Sequence, residues 1–246
     1  MRLLTLLSLA MAATALGDDA VTFRDGRRQD GKILGVSNGT VEVEIKLPNG
    51  SPGKIGFPVA NIASVVMDQP TAARTGLAAY DAADYARALT ELRPVSEKYK
   101  GLPTDWARRI AAVMGDLYLE AKDLTKAEAA YGEYARLYPG GKSPLRSSVG
   151  LARLANAKGD RARARQLLEP IAKAALEDPA PSEADAAIYG QVFFLLGQAR
   201  EAEKDFTRAL EDYLRTVTLF HHDRAVATAA QKAADALRAA QKVQVP

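Results

Sequence analysis

The chain of 246 residues contains no cysteine. This absence excludes disulfide bonds, so the stability of the fold has to come from the burial of apolar side chains. It also excludes the lipid-carrying cysteine that a bacterial lipoprotein has at its cleavage site. Histidine is almost as scarce, with two residues that are neighbours, His221 and His222. Adjacent side chains point apart in a strand or a helix, so no metal site is predicted, and no cofactor either. The pair is interpreted as a helix C-terminus, where the helix dipole favours histidine.

The motifs of the common enzyme classes are also missing. Gly140-Gly141-Lys142-Ser143 resembles part of a phosphate-binding loop, but Arg136 stands where that loop needs a glycine. The segment also follows a predicted helix rather than a strand, so we interpret it as a connecting loop. No serine nucleophile elbow, metalloprotease helix or glycine-rich dinucleotide loop occurs in the sequence. We therefore predict a protein that is not an enzyme.

Neither sign of charge dominates. Lysine and arginine together number 33, aspartate and glutamate 30, and the formal net charge is +3. The charges are interleaved and do not form the concentrated basic patch that nucleic-acid-binding proteins carry. Nucleic acid is therefore not a predicted partner.

Long hydrophobic runs are absent except for a short one near the N-terminus. Arg2 precedes an apolar run over residues 3–13, and the small residues Ala15 and Gly17 follow it. This order predicts a signal peptide, residues 1–17, cleaved after Gly17. The alternative is an uncleaved membrane anchor, but a spanning helix needs about 20 apolar residues. We expect a bacterial protein that is periplasmic or secreted and has no membrane span after cleavage.

Residues 18–68 show the alternation of β-strands. Val41, Val43, Ile45 and Leu47 fall on one face of a predicted strand. Four more short strands are predicted around it, at residues 20–24, 32–37, 54–59 and 62–67, and Asn38-Gly39 is typical of a two-residue hairpin turn. Five short strands in under 50 residues predict a small, strongly bent sheet or a small barrel. The Arg24-Asp25-Gly26-Arg27 turn and the following Gly31–Gly35 segment resemble small SH3-like or Sm-like barrels.

From residue 69 to the C-terminus the hydrophobic period is that of a helix. Start and stop signals predict helices over 71–82, 84–100, 104–121, 123–138, 144–157, 160–177, 183–203, 205–221 and 224–242. Asp105–Pro139 contains the best-formed pair, joined by a tight turn at Lys122-Asp123. Similar pairs recur around Ala88, Ala127, Ala164 and Ala209, the small residues near the start of each second helix.

Gly115, Tyr118, Ala127, Tyr131 and Pro139 match the small, aromatic and closing-proline positions of the tetratricopeptide repeat. The chain from about 70 to 242 resembles that family, with the other three copies degenerate and the last helix a solvent-facing cap. The resemblance implies a mainly α fold: a right-handed superhelix of antiparallel helix pairs, preceded by the β-barrel. It also implies a protein-binding scaffold in which the first helix of each pair lines the binding surface.

Carried over position by position, the resemblance nominates one set of partner-binding residues: Tyr80, Arg109, Asp116, Glu120, Arg146, Arg153, Asn156, Phe194 and Gln198. Among them Arg146, Arg153 and Asn156 are suited to an acidic or C-terminal segment of a partner protein, because they offer charge-assisted hydrogen bonds. The alternatives are a hydrated face without a dedicated ligand, a homo-oligomer or structural component of the cell envelope, or an accessory subunit of cell-wall or outer-membrane machinery.

Overall fold

The computed structural model describes residues 19–140 and 143–242. The predicted signal peptide lies outside the described residues. No helix within them is long and apolar enough to cross a membrane. The described chain divides into two compact units, one containing residues 19–70 with 97–107, the other containing residues 71–96 with those from 108 onward.

The first unit contains the β-strands: β1 (Ala20–Phe23), β2 (Arg28–Asp30), β3 (Lys32–Ser37), β4 (Thr40–Lys46), β5 (Pro52–Pro58) and β6 (Ile62–Val66). Five of them are the predicted strands with small shifts at their ends. Asn38 and Gly39 turn β3 into β4 with φ of 50° and 73°, as a two-residue hairpin requires. The predicted alternation is confirmed for Val41 and Val43, which are fully buried, whereas Leu47 follows the end of β4 and is 39% exposed.

The predicted closed barrel is wrong for the described strands. They form two three-stranded antiparallel sheets, with strand orders β2-β1-β6 and β3-β4-β5. The chain crosses between the sheets at Gly31, between β2 and β3, and again through a 3₁₀ turn, Val59–Asn61, between β5 and β6. Because no described strand belongs to both sheets, the hydrogen bonds between these strands do not form a closed barrel. Strand β2 was not predicted, because Arg-Gln-Asp carries no apolar residue to mark it.

Residues 97–107 belong to this first unit although they join two helices. Gly35 of β3 lies so close to this segment that a Cβ atom on it would be 2.8 Å from the carbonyl oxygen of Lys98. Leu102 is fully buried, and the rings of Tyr99 and Trp106 meet edge to face at 5.3 Å. The sequence predicted one boundary at residue 68 and did not anticipate this later contribution.

The nine predicted helices are all present in the described residues. They are α1 (Thr71–Asp81), α2 (Tyr85–Lys98), α3 (Asp105–Glu120), α4 (Leu124–Leu137), α5 (Ser143–Lys158), α6 (Arg161–Glu177), α7 (Glu183–Ala202), α8 (Phe206–Thr218) and α9 (Arg224–Gln241). Their ends differ from the predicted ones by a few residues at most. The first eight form four consecutive pairs.

The same turn joins the two helices of each pair. One residue takes a positive φ and the next, an aspartate, accepts a hydrogen bond from a backbone N–H of the second helix: Ala83-Asp84, Lys122-Asp123, Gly159-Asp160 and Lys204-Asp205. In each turn the aspartate N–H also donates to the carbonyl five residues earlier. This is a Schellman end followed directly by a helix N-cap. A shared turn makes the four pairs structural repeats.

Small residues bring the two helices of a pair together. Ala88, Ala127, Ala164 and Ala209 are fully buried, and the residues four positions later fill the space beside them: Leu92, Tyr131, Leu168 and Tyr213. On the facing helix, a Cβ atom on Gly76, Gly115 or Gly197 would lie less than 3.0 Å from the side chain of Leu92, Tyr131 or Tyr213, respectively. Helix α9 packs on α8 through Ala230, Ala234 and Leu237 and leaves its charged residues exposed, as a terminal helix should.

Candidate partner-binding surface

The predicted partner-binding residues all lie on the first helices of the four pairs, which we call the first-helix surface. Helix α1 carries Tyr80, α3 carries Arg109, Asp116 and Glu120, α5 carries Arg146, Arg153 and Asn156, and α7 carries Phe194 and Gln198. Within the repeat unit, α5 contacts α7 directly as well as its own partner α6. The first helices of the third and fourth pairs are therefore neighbours.

Asp116 of α3 is the most highly bonded of these residues. Its carboxylate accepts the Tyr80 hydroxyl at 3.0 Å, the Tyr131 hydroxyl at 2.5 Å and the Arg153 guanidinium at 2.5 Å. The donors come from α1, α4 and α5, so one side chain ties four helices together. Only 21% of the Asp116 side chain is exposed. A carboxylate with this many donors in a half-buried place is held rigidly.

Burial and charge fix the protonation states in this cluster. Burial, and next the Asp116 carboxylate, raise the pKa of Tyr80 and the pKa of Tyr131 well above the ordinary value, so both hydroxyls stay protonated as donors. For Arg153, burial acts to lower the pKa, but Asp116 together with Tyr131, Tyr80 and Glu120 outweighs it, and the pKa is raised. The cluster therefore holds one negative and one positive charge.

Two glycines position the Tyr131 ring. A Cβ atom on Gly115 of α3, or on Gly150 of α5, would lie less than 3.0 Å from an atom of that ring. The ring is thus flanked by two neighbouring helices at points where neither has a side chain. Its hydroxyl then reaches Asp116, only one residue beyond Gly115. The repeat pattern predicts a packing role for Tyr131 but does not reveal this hydrogen bond.

The other edge of Arg153 is held more loosely. Its second terminal nitrogen, Nη2, lies 3.7 Å from the Glu120 carboxylate, and 45% of the Glu120 side chain is exposed. On the same helix as Glu120, Arg109 donates from one nitrogen, Nη2, to both carboxylate oxygens of Asp81 of α1, at 2.6 and 2.7 Å. Both members of that pair are about half exposed. Sequence analysis did not identify Asp81.

The remaining predicted residues divide into two that contact a neighbouring helix and two that make no hydrogen bond or ion pair with the described residues. Asn156 donates to the Leu195 carbonyl of α7 at 3.1 Å, and Phe194 packs beside the Tyr213 ring at 5.9 Å. Arg146 and Gln198 are exposed, and neither forms a hydrogen bond or ion pair with the described residues. These two side chains are available to a partner without breaking an internal bond.

A second polar cluster joins the later helices. Asp212 of α8 is fully buried and pairs with Arg200 of α7 at 2.6 Å and with Arg215 at 3.0 Å. Burial raises the pKa of Asp212 to about 6, although both arginines act in the opposite direction. Arg200 also lies 3.7 Å from Glu169 of α6. This cluster was not predicted, because periodicity alone does not reveal a charge that faces the core.

The described residues contain no group of three or more histidine, cysteine, aspartate or glutamate side chains placed to hold a metal ion. His221 and His222 lie in the turn between α8 and α9. Their rings are stacked at 5.1 Å, because a turn, unlike a helix or a strand, does not force neighbouring side chains apart. Asp223 caps α9 through the N–H groups of Ala225 and Val226.

No family model matches the chain, and no curated protein matches it. Among solved structures, MamA (residues 41 to the end) from Desulfovibrio magneticus RS-1 is 14% identical, with a TM-score of 0.44 over 72% of this chain and 99% of that one. A MamA RS-1 ArsTM double mutant is 16% identical, with a TM-score of 0.42 over 72% and 100%. The P58(IPK) TPR domain is 14% identical, with a TM-score of 0.31 over 70% and 66%. All three scores are below 0.5, so the account of the fold rests on the four helix pairs themselves.

Proposed function

We propose that this protein is a non-enzymatic scaffold of the tetratricopeptide kind that binds a segment of a partner protein on its first-helix surface. One observation carries the proposal: side chains bond from each first helix to the next. Tyr80 of α1 and Arg153 of α5 both donate to Asp116 of α3, and Asn156 of α5 donates to the backbone of α7. Four helices thereby present a single fixed surface.

A fixed surface favours binding because little conformational freedom is lost when the partner docks. Stacked repeats offer such surfaces over several helices, whereas a compact domain of the same size has none so extended. Function then depends on the side chains that point away from the repeat contacts. Among the predicted binding residues those are Arg146 and Gln198, which are exposed and make no hydrogen bond or ion pair with the described residues.

The proposed partner segment is acidic. Arg146 on α5 is a cation without an ion pair among the described residues, and Arg153 lies two turns further along the same helix, on the same side. An arginine offers a carboxylate paired, charge-assisted hydrogen bonds. An acidic side chain or a C-terminal carboxylate of the partner fits this arrangement.

We further propose that the protein acts outside the cytoplasm and that its β unit is SH3-like. The basic and apolar N-terminus followed by small residues supports export. The crossings at Gly31 and at Val59–Asn61 support an SH3-like arrangement of the two sheets. Mass spectrometry of the protein purified from its own cells tests export, since cleavage after Gly17 leaves Asp18 as the first residue.

A charge reversal tests the binding surface. Arg146→Glu on α5 is compared with Arg87→Glu on α2, a second helix, where the arginine is also exposed. We expect a partner recovered from host extract by the wild type and by Arg87→Glu to be lost with Arg146→Glu. Equal recovery with both variants would refute the proposal.

Self-assembly is a second candidate function, supported by two exposed leucines near the ends of second helices. Leu176 of α6 is 53% exposed, and Leu219, the residue directly after α8, is 54% exposed. Light scattering of the purified protein over a range of concentrations separates the two functions. A strict monomer at high concentration excludes self-assembly and leaves partner binding.

A further inference from the structure

The two edges of the Arg153 guanidinium are held in different ways. Nη1 donates to Asp116 at 2.5 Å, and Asp116 is mostly buried and bonded to two tyrosine hydroxyls as well. Nη2 lies 3.7 Å from Glu120, which is too long for a hydrogen bond. The Glu120 side chain is also the more exposed of the two carboxylates, at 45% against 21%. The Nη1 edge is therefore held by a short hydrogen bond, whereas the Nη2 edge has only a longer ion pair.

We propose that Glu120 is a built-in competitor for the acidic segment of the partner. It occupies the place at Nη2 of Arg153 that a partner carboxylate takes, and it must swing away when the partner binds. This inference rests on the proposed function and adds a regulatory contact to the same surface. It makes Glu120 an inhibitory residue rather than a partner-binding one.

Asp116 does not play this part. Displacing it would leave the Tyr80 and Tyr131 hydroxyls, both in half-buried or buried positions, without their acceptor. Buried donors without partners are costly, so this contact persists in the bound state. Asp116 is a positioning residue that holds Arg153 with Nη2 on the side of Glu120.

The neighbouring charges agree with an acidic ligand. Arg146 precedes Arg153 by seven residues, about 10 Å along one side of α5. It forms no ion pair with the described residues. Once Glu120 has moved, two cations remain on this side of the helix. A segment with two carboxylates spaced by a few residues can meet both.

Glu120 and a matched glutamate provide the test. Glu128 of α4 also pairs with a cation, Lys158 at 2.6 Å, and is 59% exposed. Glu120→Gln and Glu128→Gln change the net charge of the molecule equally. A fluorescein-labelled peptide of six glutamates is titrated with each full-length protein, and its dissociation constant is measured by fluorescence anisotropy at fixed salt.

We expect Glu120→Gln to bind the peptide about threefold more tightly than wild type, because an exposed, weak ion pair no longer competes. Glu128→Gln should change the constant by less than about 1.5-fold if only local charge matters. Equal tightening in both variants would overturn the competitor role, because it would show an effect of net charge alone.

Arg146→Glu separates this inference from the proposed function. If Arg146→Glu weakens peptide binding while Glu120→Gln leaves it at the wild-type value, the acidic-segment surface stands and the competitor role is wrong. If no variant, including Glu120→Gln, binds the peptide, both are wrong. Tighter binding by Glu120→Gln that Arg146→Glu then reverses supports both.

Discussion

At the scale of single residues, the repeat unit is stabilised by close packing between glycines and large side chains. The resemblance to the tetratricopeptide repeat identified Gly115, Ala127 and Tyr131 as structural. In the structure the Tyr131 ring lies against Gly115 and shares a buried cluster with Ala127. Periodicity did not reveal that the Tyr131 hydroxyl and Arg153 converge on Asp116. Such bonds join residues on different helices, and no local pattern encodes them.

Replacing Gly115 by alanine should lower the free energy of unfolding by about 1–3 kcal/mol. The new methyl group would clash with the Tyr131 ring, which cannot retreat because Gly150 adjoins it on another helix. Gly132→Ala is the control, since that helical glycine is exposed with open space around it. It should stabilise by up to about 1 kcal/mol through helix propensity. Urea unfolding followed by circular dichroism measures both, and similar effects at the two sites would contradict the packing account.

The raised pKa values of Tyr80 and Tyr131 predict a loss of stability at alkaline pH. In the unfolded chain these hydroxyls lose their protons near the ordinary tyrosine pKa of about 10, whereas in the fold they keep them. The free energy of unfolding therefore decreases as the pH rises above about 10. Tyr131→Phe should show a shallower decline between pH 9 and 11 by urea unfolding. An identical slope for both proteins would show that Tyr131 does not contribute.

At the scale of elements, the four pair-joining turns were the most predictable feature of the chain. Asp84, Asp123, Asp160 and Asp205 mark them in the sequence, and each caps a helix in the structure. Strand β2 was the least predictable element, because it has three residues and no apolar side chain. The arrangement of two open sheets was missed for a related reason. Sheet closure depends on which edges meet, and alternation within one strand does not specify that.

The residue before each capping aspartate offers a paired prediction. Lys122 has a φ of 60°, a conformation that disfavours any side chain with a Cβ atom. Lys122→Gly should therefore raise the free energy of unfolding by about 0.5–1 kcal/mol. Gly159 occupies the same place in the third pair with a φ of 82°, and Gly159→Ala should cost about 1 kcal/mol. Thermal unfolding of the two variants should shift in opposite directions, and shifts of the same sign would be inconsistent with equivalent turns.

At the scale of the whole molecule, the β unit includes more chain than the sequence pattern indicated. Residues 97–107 belong to it, and they bring the buried Leu102 and the Lys98 backbone that lies against Gly35. The sequence gives this segment only a helix end, a loop and a helix start. Whether residues 97–107 belong to the β unit depends on a long-range contact, and no local sequence pattern encodes such a contact.

A fragment of residues 18–70 should therefore fail to fold alone. Without residues 97–107 the unit loses the buried Leu102 and the packing of Tyr99 with Trp106. The amide proton spectrum of the fragment should show the narrow dispersion of an unfolded chain. A well-dispersed spectrum would show that the strands are self-sufficient.

The central claim is that a partner binds on the first-helix surface. Because the chain contains no cysteine, a single introduced cysteine can be labelled at one chosen site. Single cysteines are introduced at exposed sites and labelled with a photoactivatable cross-linker: Gln198→Cys on α7 and, as a control on a second helix, Arg136→Cys on α4. After illumination in host extract, we predict that the partner is cross-linked from position 198 and not from position 136. Cross-linking of the same partner from position 136 alone would contradict the account.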